Sequence, residues 1–284
     1  MIRSNAAHGI GVRLAVLLVG MFSWENAFCQ NNLGTTLTDL WWNANESGWG
    51  VTVDHQENTM FLTFFIYRAD RTPYWVTAQL TKVGSGPLVN SITFAGDVYE
   101  TSGPVFTGSF DPLTVTRQKV GTATFSTTDG SSATLQYSVD GSIVTKPITR
   151  QTLSNVNYSG RYLGGIVVTS NSCQNPANDN LTTWSVASFS ISQSGTSFGM
   201  TAKLTNSTGA PGVDNCTFNG TYSQTGSVGA VIGNYYSCTS GAAGTFIFSD
   251  LHWTVNGMTG TVNTRDPSCQ YNGLISGMTT DHLK

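Results

Sequence analysis

Charged side chains are scarce in this chain, since Asp, Glu, Lys and Arg make up only 10% of the 284 residues and the formal net charge is −3. Proteins that bind nucleic acid generally carry a basic face, and the sequence has no excess of Lys and Arg to build one. Long disordered segments combine high net charge with few aromatic residues, whereas aromatic residues make up 11% of this chain. The composition therefore predicts a folded protein that does not bind nucleic acid.

Sequence motifs of common enzyme and cofactor sites are also missing. The chain contains no phosphate-binding loop, no dinucleotide fingerprint and no H-E-x-x-H metal motif. The segment Gly84–Pro87 lacks the G-x-S-x-G spacing of a hydrolase nucleophile elbow. We therefore predict no catalytic residue, no cofactor and no metal site, and an enzyme of the cell envelope would need an active site assembled from distant strands.

Helical periodicity is almost absent, and short β-rich runs alternate with turn residues such as Asp140-Gly141 and Asn256-Gly257. We expect an all-β protein made of two tandem antiparallel meander barrels of about eight strands each. In the first barrel the predicted strands begin near Ser47, Thr59, Pro73, Ser91, Val105, Thr116, Ser131 and Ser142. In the second barrel they begin near Gly160, Thr182, Thr196, Val213, Ser227, Thr245, Met258 and Cys269.

The first residues have the pattern of a secretory signal peptide, because a short positive region flanked by Arg3 and Arg13 is followed by an apolar run, residues 14–22, that is too short to span a bilayer. We predict a signal peptide at 1–29, an aromatic-rich domain at 30–153 and a disulfide-stapled domain at 154–284. The protein is then secreted or periplasmic, with no membrane span after cleavage. Lipid attachment at Cys29 is disfavoured, because Phe28 is bulky where a small residue is usual.

After removal of the signal peptide four cysteines remain, all in the second half of the chain. In an exported protein this number predicts two disulfides, and the absence of C-x-x-C pairs and nearby histidines disfavours the alternative of a zinc site. If successive strands reverse direction, all four cysteines lie at one rim of the second barrel. We expect Cys216 to pair with Cys238 across a hairpin, and Cys173 to pair with Cys269 where the barrel closes.

One run of the first domain, Met60–Tyr67, is apolar on both alternating faces. We therefore expect it to be covered on both sides or to lie against a neighbouring element. A transmembrane barrel would repeat a lipid-facing apolar row on every strand. Residues 91–100 and 117–127 supply no such row, so this alternative is disfavoured.

Residues 41–50 read W-W-N-A-N-E-S-G-W-G, and residues 64–75 read F-F-I-Y-R-A-D-R-T-P-Y-W. The segment 41–50 resembles the W-W-N-x-x-E-S-G-W-G motif of an uncharacterised family of exported bacterial proteins. The segment 64–75 resembles the aromatic hairpin of that family, W-F-x-Y-D-A-D-G-x-P-x-W, although Arg68 and Ala44 stand where acidic and proline residues are usual. A Trp-x-Asn element before a glycine-containing first strand is more distantly similar to avidin-type barrels. We do not carry biotin binding over from that likeness.

The aromatic cluster has two main interpretations. Its rings either plug one end of the first barrel or form a platform on which a sugar or another flat apolar ligand stacks, while a contact patch for another protein is a third interpretation. We expect the Glu46 carboxylate to fix the turn before the next strand. The leading function is non-enzymatic recognition of a glycan or small apolar ligand, and the alternatives are an envelope hydrolase and a structural or adhesive protein that binds an envelope or surface protein. The predicted ligand-binding residues are Trp41, Trp42, Asn43, Glu46, Trp49, Tyr74 and Trp75.

Overall fold

A computed structural model describes residues 36–85, 92–105, 107–206 and 213–280. The predicted signal peptide, residues 1–29, and the alternative lipid attachment at Cys29 lie outside these ranges. Within them, none of the helices has the length and apolar character that a membrane span requires. The described chain is nearly all-β, and it forms two closed antiparallel barrels, one after the other.

The first barrel contains eight strands, each paired with its neighbours in chain order, and β1 pairs with β8 to close the ring. The closure is short, since only Trp41 and Trp42 of β1 pair with Arg150 and Thr149 of β8. The strands are β1 (Asp39–Trp42), β2 (Gly50–Gln56), β3 (Thr59–Tyr67), β4 (Pro73–Ser85), β5 (Ile92–Ser102), β6 (Thr116–Thr127), β7 (Ser132–Val139) and β8 (Ser142–Arg150).

Two sequence predictions for this barrel were wrong in position. Trp41 and Trp42 do not precede the first strand but belong to it, and the strand expected near Val105 is a connection that contains a short 3-10 helix, Pro112–Thr114. The Asp111 side chain accepts a hydrogen bond from the Leu113 N–H at the start of this turn. Proline lacks the N–H that a strand ladder requires, and a capping aspartate before it favours a turn.

The second barrel follows the predicted strands closely, with every start within two residues of the expected position. Its meander closes through pairing of the first and last strands. The strands are β9 (Gly160–Asn171), β10 (Thr182–Ser194), β11 (Ser197–Asn206), β12 (Val213–Thr225), β13 (Val228–Cys238), β14 (Ala243–Thr254), β15 (Gly257–Arg265) and β16 (Gln270–Thr279).

The predicted disulfide pairing is confirmed. Cys216 is bonded to Cys238, its direct partner in the β12–β13 ladder, and Cys173 is bonded to Cys269. Both bridges lie at the rim that carries the longer connections. At the opposite rim the β10–β11 and β12–β13 turns are tight and use Gly195 and Gly226 with φ values of 57° and 63°.

Each barrel is filled by its own hydrophobic core, built from the inward-facing residues of the alternating strands. In the first core, the Trp41 indole meets the Phe125 ring edge-on, with centroids 5.0 Å apart. In the second core, Phe218 contacts Phe246, Phe248 and Tyr236 at centroid distances between 5.2 and 5.5 Å. Burying each such side chain stabilises the fold by about 1.5–3 kcal/mol.

The two barrels belong to one compact unit, Thr35–Lys284, and an ionic junction joins them. Asp39 Oδ2 accepts hydrogen bonds from the backbone N–H and the hydroxyl of Ser227, at 2.8 and 2.9 Å. The same oxygen pairs with Arg150 Nη1 at 3.1 Å, so one carboxylate links the ends of the first barrel to a turn of the second. The linker adds a bond from Gly226 N–H to the Thr152 hydroxyl at 2.9 Å.

Candidate functional site

The predicted aromatic cluster does not stay together, and its members occupy three environments. Trp41 is fully buried in the first core, its Nε1 donates to the Leu37 carbonyl at 3.0 Å, and the Arg150 guanidinium carbon lies 5.0 Å from its ring centroid. Tyr74 is also buried, whereas Trp49 is half-buried at the barrel end. Trp75 is 54% exposed on the outer wall.

Glu46 and Trp49 belong to a cluster of hydrogen-bonded side chains at the end of the barrel. The Glu46 carboxylate accepts from Trp49 Nε1 at 3.1 Å and pairs with Lys146 Nζ at 2.8 Å. The hydrogen bond from Lys146 is the largest of the effects that hold the pKa of Glu46 below its usual value. The Asn43 carbonyl accepts from the Glu46 N–H at 2.9 Å, so both residues order the loop between β1 and β2. An ionised, paired carboxylate suits this structural role better than that of a general acid.

A second polar group covers Tyr74 at the same end of the barrel, because the β1–β2 and β3–β4 connections lie at one rim of an antiparallel meander. The Arg68 guanidinium lies 3.7 Å from the centroid of the Tyr74 ring and pairs with Glu100. The Tyr74 hydroxyl donates to Glu100 Oε2 at 3.2 Å, and burial is the main cause that raises the pKa of Tyr74 to about 12. Sequence reasoning missed Arg68 and Glu100, although Arg68 stands out as a departure from the family motif.

Aromatic residues of β1, β3 and β4 form a row on the outer wall, in which Phe65 and Trp75 are exposed and Trp42 is half-buried. Phe65 of β3 lies directly opposite Trp75 of β4 and, on its other side, opposite Gly50 of β2. Trp42 follows the Trp41–Val51 pair and is therefore level with Gly50. We call Trp42, Phe65 and Trp75 the outer aromatic strip. Phe65 is 51% exposed, and Gly50 has no side chain to separate Phe65 from Trp42.

The exposure of this strip rules out one of the two expectations for Met60–Tyr67, that it is covered on both faces, whereas its pairing with β2 and β4 agrees with the other, that it lies against a neighbouring element. Its inner residues Met60, Leu62 and Phe64 are fully buried, but Phe61, Phe65 and Tyr67 on the outer face are about half exposed. Among the described residues, no element packs over these three outer rings closely enough to bury them. The strand is apolar on both faces because one face packs in the core and the other carries an exposed aromatic surface.

Polar side chains lie beside the outer aromatic strip in regular rows. The adjacent row of outward-facing side chains contains three threonines. These are Thr52, Thr63 and Thr77, which are paired in register across β2, β3 and β4. The row after it contains Asp54 and Gln79, on either side of Phe61. In the described part of the chain, none of these five polar side chains has a hydrogen-bond partner. The wall therefore offers aromatic faces together with free hydroxyl, amide and carboxylate groups.

The cysteine rim does not form a metal site. Asp214, Cys216 and Cys238 have their potential ligand atoms within 4.8 Å of one another. Both sulfurs are consumed in the Cys216–Cys238 disulfide, and the Asp214 carboxylate accepts bonds from Thr239 and Ser240. Since metal binding requires thiolates, this arrangement agrees with the disulfide prediction and not with the zinc alternative.

Comparison of the chain with protein-family models and with curated proteins finds no match. The resemblance of residues 41–50 and 64–75 to the exported bacterial family stays a prediction. The interpretation of the site therefore depends on the geometry of the outer aromatic strip and of the polar rows beside it.

Proposed function

We propose that this chain is an exported, non-enzymatic binding protein that recognises a glycan on the outer wall of its first barrel. The observation that carries the proposal is the direct pairing of Phe65 with Trp75, both about half exposed, on two adjacent strands. Isolated exposed aromatic residues are ordinary on protein surfaces, whereas a continuous exposed apolar patch is typical of a binding surface.

The chemistry of the wall matches that of a sugar. The C–H face of a sugar ring stacks on an aromatic face, and its hydroxyls need donors and acceptors at the edge of that face. Directly opposite residues on paired strands have Cβ atoms about 4.5–5.5 Å apart, so Phe65 and Trp75 present adjoining surfaces. Thr63 and Thr77, one row away on the same strands, supply hydroxyls to the same ligand.

Two other functions are less well supported by the geometry. An envelope hydrolase at the aromatic cluster would need a free acid or base there, but Glu46 is paired with Lys146 and Glu100 with Arg68. The unpaired Asp54 carboxylate lies two rows away from the outer aromatic strip, beside Phe61. A structural or adhesive protein that captures an envelope or surface protein would use an aromatic patch as well, but it has no need for unpartnered threonine hydroxyls in register. The polar rows therefore favour the glycan.

The two disulfides indicate an oxidising compartment outside the cytoplasm. Together with the signal peptide predicted at 1–29, this supports a secreted or periplasmic location. Glycans of the cell surface are accessible to a protein in that location.

The test is titration of the full chain with a panel of oligosaccharides, measured by calorimetry. We expect Trp75→Ala to weaken binding roughly 30-fold, since truncation of a central tryptophan in a binding surface costs about 2 kcal/mol. Trp184→Ala is the matched control, because Trp184 is 48% exposed on the second barrel. It should leave binding unchanged.

Three outcomes would contradict the proposal. Equal losses in both tryptophan variants would point to a nonspecific effect. Turnover of a glycan that Glu46→Gln abolishes would favour the hydrolase. Capture of an envelope or surface protein, with no response to any glycan, would favour the adhesive role.

A further inference from the structure

A cleft of about 340 Å³ opens on the wall of the second barrel, next to the cysteine rim. Its walls come from β13, from the start of β14 and from the connection between β15 and β16. This volume is near the lower limit of about 300–1,000 Å³ for sites of small ligands, and the cleft is shallow and open to solvent, so it suits one residue of a longer chain better than an enclosed ligand. The side chains that matter for the argument are Asn234, Tyr235, Thr245, Arg265, Asp266 and Pro267.

A β-bulge creates one wall of the cleft. Gly233 pairs with Phe246 and Tyr236 pairs with Gly244, so two residues of β13, Asn234 and Tyr235, face the single residue Thr245 of β14. Bulges turn side chains away from the regular alternation and are common beside binding sites. Here the bulge leaves the Tyr235 ring 59% exposed at the edge of the cleft.

The polar groups that converge on the cleft have no partners of their own. In the described part of the chain, the Arg265 guanidinium, the Asn234 amide and the Tyr235 hydroxyl make no hydrogen bond or ion pair. Asp266 is different, since its carboxylate accepts from the Ser268 and Cys269 N–H groups at 2.7 and 2.8 Å and from the Tyr271 hydroxyl at 3.1 Å. The hydrogen-bonding capacity of Asp266 is thus used within the β15–β16 connection, whereas the donors of Arg265, which makes no ion pair in the described part of the chain, remain available to a ligand.

Both disulfides hold the walls of the cleft. Cys238 follows Tyr235 by three residues and is bonded to Cys216, while Cys269 follows Pro267 by two residues and is bonded to Cys173. Walls that are fixed before binding reduce the entropy that a ligand must otherwise overcome. The two bridges thus preorganise the cleft in addition to stabilising the barrel.

We propose that this cleft binds an acidic sugar residue of the uronic acid type. The planar guanidinium of Arg265 pairs with the sugar carboxylate through two parallel hydrogen bonds, the geometry in which arginine recognises carboxylates. The apolar face of the sugar ring packs on Tyr235, and its hydroxyls bond to Asn234 and Thr245. This site lies on the second barrel and does not depend on the outer aromatic strip of the first.

The experiment compares an oligogalacturonide with a matched neutral oligogalactoside, using the full oxidised chain and calorimetry. We expect the acidic oligosaccharide to bind and the neutral one to bind at least 10-fold more weakly. Arg265→Gln should weaken binding of the acidic ligand about 10- to 100-fold, as expected for loss of charge-assisted hydrogen bonds. Tyr235→Ala should also weaken it, and the melting temperatures of both variants check that they fold.

Lys203→Gln is the matched control, because it removes the same charge from an exposed site on β11 of the same barrel. It should leave binding unchanged. Trp75→Ala removes the proposed glycan surface of the first barrel, and Arg265→Gln is compared with Lys203→Gln in that background. An equal loss in Lys203→Gln and Arg265→Gln would overturn the site in favour of general charge attraction. Equal binding of the neutral ligand would overturn the acidic class, and loss of binding in Trp75→Ala would assign the ligand to the first barrel instead.

Discussion

At the scale of single residues, two neighbouring tryptophans take opposite roles. Trp41 points into the barrel and is fully buried, whereas Trp42 points outward beside Gly50. Adjacent residues of a strand face opposite sides of the sheet, so the pair Trp41-Trp42 contributes one ring to the core and one to the wall. The core interpretation therefore holds for Trp41, whereas the ring of Trp42 lies outside the core.

We expect Trp41→Ala and Trp75→Ala to separate stability from binding. Trp41→Ala leaves a large cavity beside Phe125 and should lower the free energy of unfolding by about 3–5 kcal/mol. Trp75 is 54% exposed, so its truncation should change that free energy by about 0.5 kcal/mol or less. Urea unfolding of the two variants measures the difference. A large loss in Trp75→Ala would show that the outer ring is a packing residue.

At the scale of elements, the second barrel follows from local signals because its strands are long and its turns are short. The register of β12 and β13 places Cys216 directly opposite Cys238, and it does so through a bulge between Asn219 and Thr221 that shifts the pairing by one residue. The first barrel is less regular. A four-residue strand, β1, completes it, and so short a segment has too few alternating positions to be recognised before its neighbours are known.

The two disulfides should differ in what they contribute. Removing the Cys173–Cys269 bridge frees a loop of 96 residues, whereas the Cys216–Cys238 bridge encloses 22. In the chain-entropy description the losses are about 5 and about 3 kcal/mol. The paired Cys→Ala variants, measured by denaturant unfolding, should follow this order. The reverse order, or loss of hydrogen-exchange protection in the cysteine-free first barrel, would contradict it.

At the scale of the whole molecule, the junction between the barrels depends on one partly buried carboxylate. Asp39 accepts from Ser227 and pairs with Arg150, whose side chain is 1% exposed. Burial is the main cause that lowers the pKa of Arg150, and the guanidinium also donates to the Gly130 carbonyl at 2.6 Å. The Asp39 carboxylate therefore contacts both Arg150 at the end of the first barrel and Ser227 in a turn of the second.

We expect Asp39→Ala to destabilise the first barrel by about 3–5 kcal/mol, because it leaves a buried arginine without its counter-charge. Its calorimetric melting should then split into two transitions, with the first barrel unfolding earlier. Ser227→Ala is the control and removes one hydroxyl bond, at a cost of about 0.5–1.5 kcal/mol. If both variants melt alike, the ion pair does not stabilise the junction.

The sequence by itself determined the β class, the strand order of the second barrel and the pairing of its cysteines. These features follow from turn residues and from alternation along the chain, which are local properties. The strand predicted near Val105 was wrong because β-propensity reflects packing against neighbours, and the observed β5–β6 ladder ends where Ser102 pairs with Thr116.

Only the tertiary structure decided which aromatic residues are exposed on the outer wall. The sequence placed Trp42 and Trp75 far apart, and the successive strand pairings of the meander brought β1 to β4 side by side with Phe65 between them. The cleft at Tyr235 was equally hidden, since a bulge is a shift in register between two strands and leaves no fixed pattern in either one. Exposure and register are properties of pairs of strands, so the residues of one strand cannot specify them alone.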